Sequence, residues 1–310
     1  MRRAPGVVTL NPVDSSPVPR PGRVVAYSVL AGVLLAVLWS YEFVDSVIGD
    51  NVAHALLGHD PRGTEIAGTT AALLFAFVSG LAGTFTACNI AMAASVGPMS
   101  EVGVAHRTGS ALRALLRSVG WLTMGMLAVS TVYGFVGVLI GDRLPQLSSA
   151  MVGDMPVRLI QSSVVFGLIG LALTYLGLAA LHVVPDIFAG RPVARVVTLG
   201  ALVGGFLIGR PYPMFTKLFH WAAETGNPLL GAATFILQSL GNIIIVSALF
   251  ALLVLGSRGR FLSWLTARPS RTALITGSML VALGVFTVVY WDLRVPAIFG
   301  FGWFPKMPYN

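Results

Sequence analysis

One cysteine, Cys88, in 310 residues is too few for an intramolecular disulfide. Charge is scarce too: Lys, Arg, Asp and Glu make up 10% of the chain against 55% hydrophobic residues, and mean hydropathy is +0.82. That balance excludes an ordinary soluble domain, in which about a quarter of residues are charged. No Gly-Lys-Ser/Thr phosphate cradle, His-Glu-x-x-His or Gly-x-Ser-x-Gly sequence occurs, which argues against an ATP-driven or hydrolytic enzyme and predicts no cofactor. No Lys/Arg cluster is interleaved with aromatics, so the formal charge of +8 does not point to a nucleic-acid partner.

What is abundant is uninterrupted apolar sequence. Stretches of roughly 20 apolar residues, enough to cross a bilayer as helix, predict about seven spans at 24–44, 66–96, 115–141, 158–184, 196–223, 229–255 and 272–292. The expected fold is an all-α integral membrane protein whose first partner is the lipid bilayer. Basic residues orient it. Arg2, Arg3, Arg20, Arg23, Arg107, Arg113, Arg117, Arg191, Arg195, Arg258, Arg260, Arg268 and Arg271 fall on one side; Arg62, Arg143, Arg158, Arg294 and Lys306 fall on the other. The positive-inside rule then places the N-terminus in the cytoplasm and the C-terminus outside a plasma membrane. Residues 1–23, rich in proline and short polar residues, read as a disordered cytoplasmic leader. Residues 24–65 read as an anchor helix with its outer loop, in which His54, His59 and Asp60 match no zinc spacing. Residues 293–310 read as an aromatic extracytoplasmic tail.

Two spans are interrupted. Gly80-Leu-Ala-Gly83 leads to Cys88-Asn-Ile-Ala-Met92 in the second, and Gly204-Gly-Phe-Leu-Ile-Gly209-Arg210-Pro211-Tyr212-Pro213 breaks the fifth. The second span begins outside and the fifth inside, so the units 66–184 and 185–292 are inverted relative to each other, with Leu116-Arg-Ser-Val-Gly120 answered by Leu237-Gln-Ser-Leu-Gly241. Inverted repeats place broken helices face to face near the bilayer midplane. The predicted architecture is an N-terminal helix plus two inverted three-helix repeats.

With these motifs, residues 66–292 resemble the CcdA and DsbD transmembrane thiol-disulfide carriers, the transmembrane region of cytochrome c biogenesis proteins. That family has six helices in two inverted halves, each half presenting a Pro-Cys in a broken helix. Ala87 stands where the family has the first proline, the proline usual shortly after the first cysteine is missing, and Tyr212 stands where the second cysteine belongs; Cys88 and Pro211 match. The resemblance implies extracytoplasmic thiol-disulfide chemistry or cytochrome c maturation, a thioredoxin-like or cytochrome assembly partner, and Cys88 as a monothiol carrier. Tyr212 cannot form a disulfide, so the family's internal relay is excluded and the second thiol must come from the partner.

Other residue patterns carry alternatives. Arg210 lies about fourteen residues into the fifth span, roughly 20 Å deep, and intramembrane Arg is a functional candidate by default. It serves either to acidify Cys88, to bind an anion, or to satisfy carbonyls freed by Pro211 and Pro213. Lys217, His220 and Glu224 share a helical face, as an ion path or as a snorkelling side chain with an interfacial ion pair. Cys88, Met92 and Met99, extended by Met124 and Met126, form a soft-metal face if the helix continues, or ordinary packing. Gln161, Gln238 and Asn242 are expected to bond across helices. Two further readings therefore stand beside the carrier: an inverted-repeat transporter of a small anion or soft metal, and a non-catalytic assembly subunit.

Overall fold

The computed structural model describes residues 20–40, 42–83, 108–257, 260, 264 and 268–306; Cys88, Met92 and Met99 lie outside these, as does the leader up to residue 19. The helices are α1 (Pro21–Leu38), α2 (Asp50–Leu57, led in by a π-helical turn Glu42–Gly49), α3 (Gly68–Ala82), α4 (Thr108–Ile140), α5 (Val157–Ala180), α6 (Pro192–Gly209), α7 (Pro213–Glu224), α8 (Pro228–Gly256), α9 (Pro269–Val288) and α10 (Val295–Ile298). Five of them start at a proline, whose fixed φ suits the first turn and whose missing N–H is not needed there. A two-stranded ribbon, Met151–Val152 with Met155–Pro156, is the only sheet among the described residues. Among the described residues six helices are long and apolar enough to cross a membrane, and the chain is a multi-pass, all-α membrane protein.

Exposed apolar stripes mark the lipid-facing surface: Leu30, Leu34 and Leu38 on α1, and Val164, Leu168 and Leu171 on α5. Helices in lipid gain little by hiding apolar surface from one another, so close packing of small residues holds them together. Glycines sit at every major crossing. A methyl group on Gly80 of α3 would overlap the Gln238 carbonyl of α8, and one on Gly241 would overlap Phe77. Gly125 of α4 meets Val197 of α6 in the same way, and Gly200 meets Leu122. The antiparallel pairs α4–α8 and α5–α9 close through Gly134 with Gly231, and through Gly170 and Gly177 with Gly284 and Gly277.

Neighbours run α3–α8–α4–α6–α5–α9–α1. Exchanging α3 with α6, α4 with α8 and α5 with α9 turns the α3–α8 contact into α6–α4 and returns α4–α8 and α5–α9 as themselves. The α5–α6 contact has no counterpart of similar extent among the described residues.

Two apolar clusters divide the bundle. One, with Leu122, Met126, Phe166, Leu173, Leu199 and Phe286, joins α1, α4, α5, α6 and α9. The other, with Phe75, Tyr212, Phe215, Leu218, Phe219 and Phe235, joins α3, α7 and α8 at the end of the bundle that carries residues 39–67, 141–156 and 210–227, here termed the loop end.

Several boundaries differ from the sequence reading. The 196–223 span is two helices, because Pro211 and Pro213 cannot donate across a continuous turn. The 24–65 region is not anchor and loop alone: residues 42–57 are helical and pack on α3. The last span continues past residue 292 through a π-helical turn (Val289–Arg294) into α10, so the tail begins later than residue 293. Met124 is half exposed whereas Met126 is buried against Gly204, so the two do not share a face.

Candidate functional site at the broken helix

α6 stops at Gly209 because the next residues are extended, Arg210 at ψ 112° and Tyr212 at ψ 130°. The helix begins at Pro192 rather than near 196, which puts Arg210 just past its end, about 27 Å along the axis from its first residue rather than 20 Å. Two carbonyls at the break accept from glutamines. Gln161 Nε2 donates to the Ile208 carbonyl at 2.9 Å and Gln146 Nε2 to the Arg210 carbonyl at 3.2 Å, with Gln146 Oε1 held in turn by the Tyr133 hydroxyl. The expected cross-helix bonding of Gln161 and Gln238 is present, the latter donating to Ser79 Oγ at 3.2 Å.

The Arg210 guanidinium stacks on two rings, 4.6 Å from the Tyr212 centroid and 4.8 Å from Phe215, an arrangement that offsets part of the cost of a cation in an apolar setting. Its Nη1 reaches the end of α3: a Cβ on Gly83 would stand 3.0 Å from Nη1 and 3.7 Å from Asn242 Oδ1. The last described residue of the first interrupted segment thus touches the second break. Tyr212 is buried, and its hydroxyl donates to Asp50 Oδ1 at 3.4 Å; Asp50 Oδ2 pairs with Arg62 at 2.5 Å. This chain ties the break to α2 and to the loop that follows it.

Beyond the break, α7 is amphipathic. Met214, Phe215, Leu218, Phe219 and Ala222 are buried. The opposite face, Thr216, Lys217, His220 and Glu224, lines a cavity of about 700 Å³ whose other walls include Arg62, Glu65 and Arg158. Pro211 and Pro213 form part of its wall at the break. The shared face of Lys217, His220 and Glu224 is therefore present, but the interfacial ion pair is not. Lys217 Nζ instead donates to the carbonyls of Pro61 at 3.1 Å, Arg62 at 3.0 Å and Thr64, while Glu224 stands exposed. The loop is shaped by Asp60, which accepts from the backbone N–H of Arg62 at 3.0 Å and of Gly63 at 3.1 Å. These bonds, the Arg62 N–H foremost, hold the Asp60 carboxyl below its ordinary range.

Two groups escaped sequence reasoning. Arg294, counted there as a surface charge, is buried and donates from Nη1 to the carbonyls of Ala36 and, at 3.1 Å, Val37 at the end of α1. Asp292, two residues earlier, turns the other way, its carboxylate against Gly167 of α5 and its Oδ2 buried without a hydrogen-bond partner among the described residues. The polar residue embedded near the end of an apolar run was the available signal for both.

No family model matches the chain, and neither curated proteins nor solved structures give a significant match.

Proposed function

We propose that the chain is a divergent carrier of the CcdA/DsbD design, with its arginine-rich end cytoplasmic and its loop end extracytoplasmic in the cell membrane, and that Cys88 acts as a monothiol in extracytoplasmic thiol-disulfide chemistry or cytochrome c maturation. The observation that carries the reading is the contact of Gly83 with Arg210, the place where the two interrupted segments meet. Cys88 follows Gly83 by five residues of sequence. A cation beside such a thiol favours the thiolate, the form that exchanges. The self-mapping helix contacts support an inverted-repeat frame of the kind that sets two broken helices against each other.

In the proposed step, a mixed disulfide between Cys88 and a small thiol is attacked by a dithiol partner. Cys88 and the small molecule leave as thiols, and the partner's two thiols become its disulfide. The test uses a purified extracytoplasmic thioredoxin-like domain lacking its resolving cysteine, with its remaining thiol carried as a mixed disulfide with thionitrobenzoate, added to membranes; attack by the Cys88 thiolate forms the new disulfide and releases thionitrobenzoate as the free thiol. A mixed disulfide should form with the wild-type chain and not with Cys88→Ser, and the Arg210→Gln variant should form it more slowly at neutral pH. Full cytochrome c maturation in cells carrying Cys88→Ser would rule the thiol role out.

A second reading, transport of a small anion, draws on the charged cavity beside the break. Undiminished uptake of a radiolabelled anion by Arg210→Gln vesicles would count against it.

A further inference from the structure

The segment 59–67 contributes Arg62, Glu65 and Ile66 to the wall of the cavity. It is bounded by Gly58 at φ 75° and Gly68 at φ 83°, left-handed positions with no atom near enough to crowd a side chain. Neither glycine is itself packed, so the chain can turn at both ends. Between them His59, Asp60, Arg62, Gly63, Thr64 and Glu65 are exposed, whereas Pro61 is buried and Ile66 packs against the loop-end cluster. The two bonds of Asp60 are internal to the segment. The polar attachments of the segment to the rest of the protein include the Arg62–Asp50 pair and Lys217 of α7, whose ammonium collects three of its carbonyls, beside the apolar seats of Pro61 and Ile66.

Those three acceptors are neutral. Lys217 makes no direct ion pair among the described residues; its charge is solvated by backbone dipoles and only partly offset by the nearby Asp60 and Glu65 carboxylates. Arg158, at the start of α5, lines the same cavity, is exposed, and likewise makes no ion pair among the described residues. Arg62 is already committed to Asp50. An anionic oxygen adds a charge–charge attraction to the ammonium that a neutral carbonyl lacks, so an anion in the cavity competes with the segment's carbonyls for Lys217. Glu65 and Glu224 on the rim, and Asp60 beside Lys217, act against polyanions and favour a small ligand with one or two charges.

We propose that the cavity is a binding site for a small phosphate- or carboxylate-bearing anion held by Lys217 and Arg158, and that the 59–67 segment is its lid, latched by Lys217 and released when the anion takes that ammonium. The site is separate from Cys88 and stands whether or not the thiol chemistry does.

Inorganic phosphate is the probe. A nitroxide is placed on Thr64→Cys in the Cys88→Ser background of the full chain, in detergent. In this parent the label should be restrained, and millimolar phosphate should raise its mobile fraction saturably, by roughly tenfold if the latch is the main restraint. Lys217→Gln should give the mobile spectrum without phosphate and no further response. Arg158→Gln should keep the restrained spectrum and lose the response. A label mobile in the parent, or still restrained in Lys217→Gln, overturns the latch. The site is overturned if phosphate has no effect, if chloride at matched ionic strength has the same effect, or if the response survives in Arg158→Gln.

Discussion

The α4–α6 crossing and the α6–α7 junction lie on the same stretch of chain and are built on opposite principles. At the crossing, Gly125, Gly200 and Gly204 bring two backbones into contact, and every neighbour is apolar or main chain. At the junction the backbone is interrupted and is held by glutamines, stacked rings and an ion pair, although Gln161 Oε1 is itself buried without a hydrogen-bond partner among the described residues. Tight packing tolerates no added atom, whereas the break is specified by partners that single substitutions can remove. The first region makes the protein a rigid bundle, and the second confines adaptability to the loop end.

The largest effect should come from violating the crossing. Gly125→Leu or Gly200→Leu forces side-chain atoms into the facing backbone and should destabilise the protein by about 3 kcal/mol or more. Gly120→Ala, with no neighbour within 4 Å, should be neutral or stabilising by about 0.5–1 kcal/mol. Thermal unfolding in detergent measures both, and equal losses would remove the distinction. Next comes Arg294→Met, which fills much of the same space but leaves the Ala36 and Val37 carbonyls without their donor. A loss of about 2–3 kcal/mol is expected, together with proteolysis of α1 ahead of the rest of the bundle.

The smallest effect is a pH dependence at the loop end. The folded-state pKa of Asp60 is depressed, so its contribution is fully present above the ordinary Asp value of ~3.9 and is lost as pH falls through the lower folded value. Acidification from pH 5 to 3 should loosen the 59–67 segment, read as smaller amide protection factors at Arg62 and Gly63 relative to an unstructured amide at the same pH, and Asp60→Asn should abolish that pH dependence.

The same contrast explains what sequence could reveal. Long apolar runs made the spans legible, since length and hydropathy suffice in a bilayer. The break was legible too, because Pro211 and Pro213 carry their consequence locally. Hydropathy could not separate α7 from α6: Met214, Phe215, Leu218 and Phe219 are as apolar as a span, and only their burial in a second cluster shows otherwise. The partners of Lys217, Tyr212 and Arg294 were hidden for a different reason. Each lies more than 150 residues away in sequence, on main-chain carbonyls or on an acidic residue that reads as surface. Charge counting assigned Arg294 to the aqueous side, where its position near the end of the last span fits equally well.

Those distant partners also impose an order on biogenesis. The ribosome delivers α1 and the 59–67 segment long before Lys217, Tyr212 and Arg294 exist, so the first helix and the loop end must wait in the membrane with carbonyls unclaimed. Chains truncated after residue 256 should insert α1 but leave it undocked, and full-length synthesis should close the bundle by stitching its last turn to its first helix.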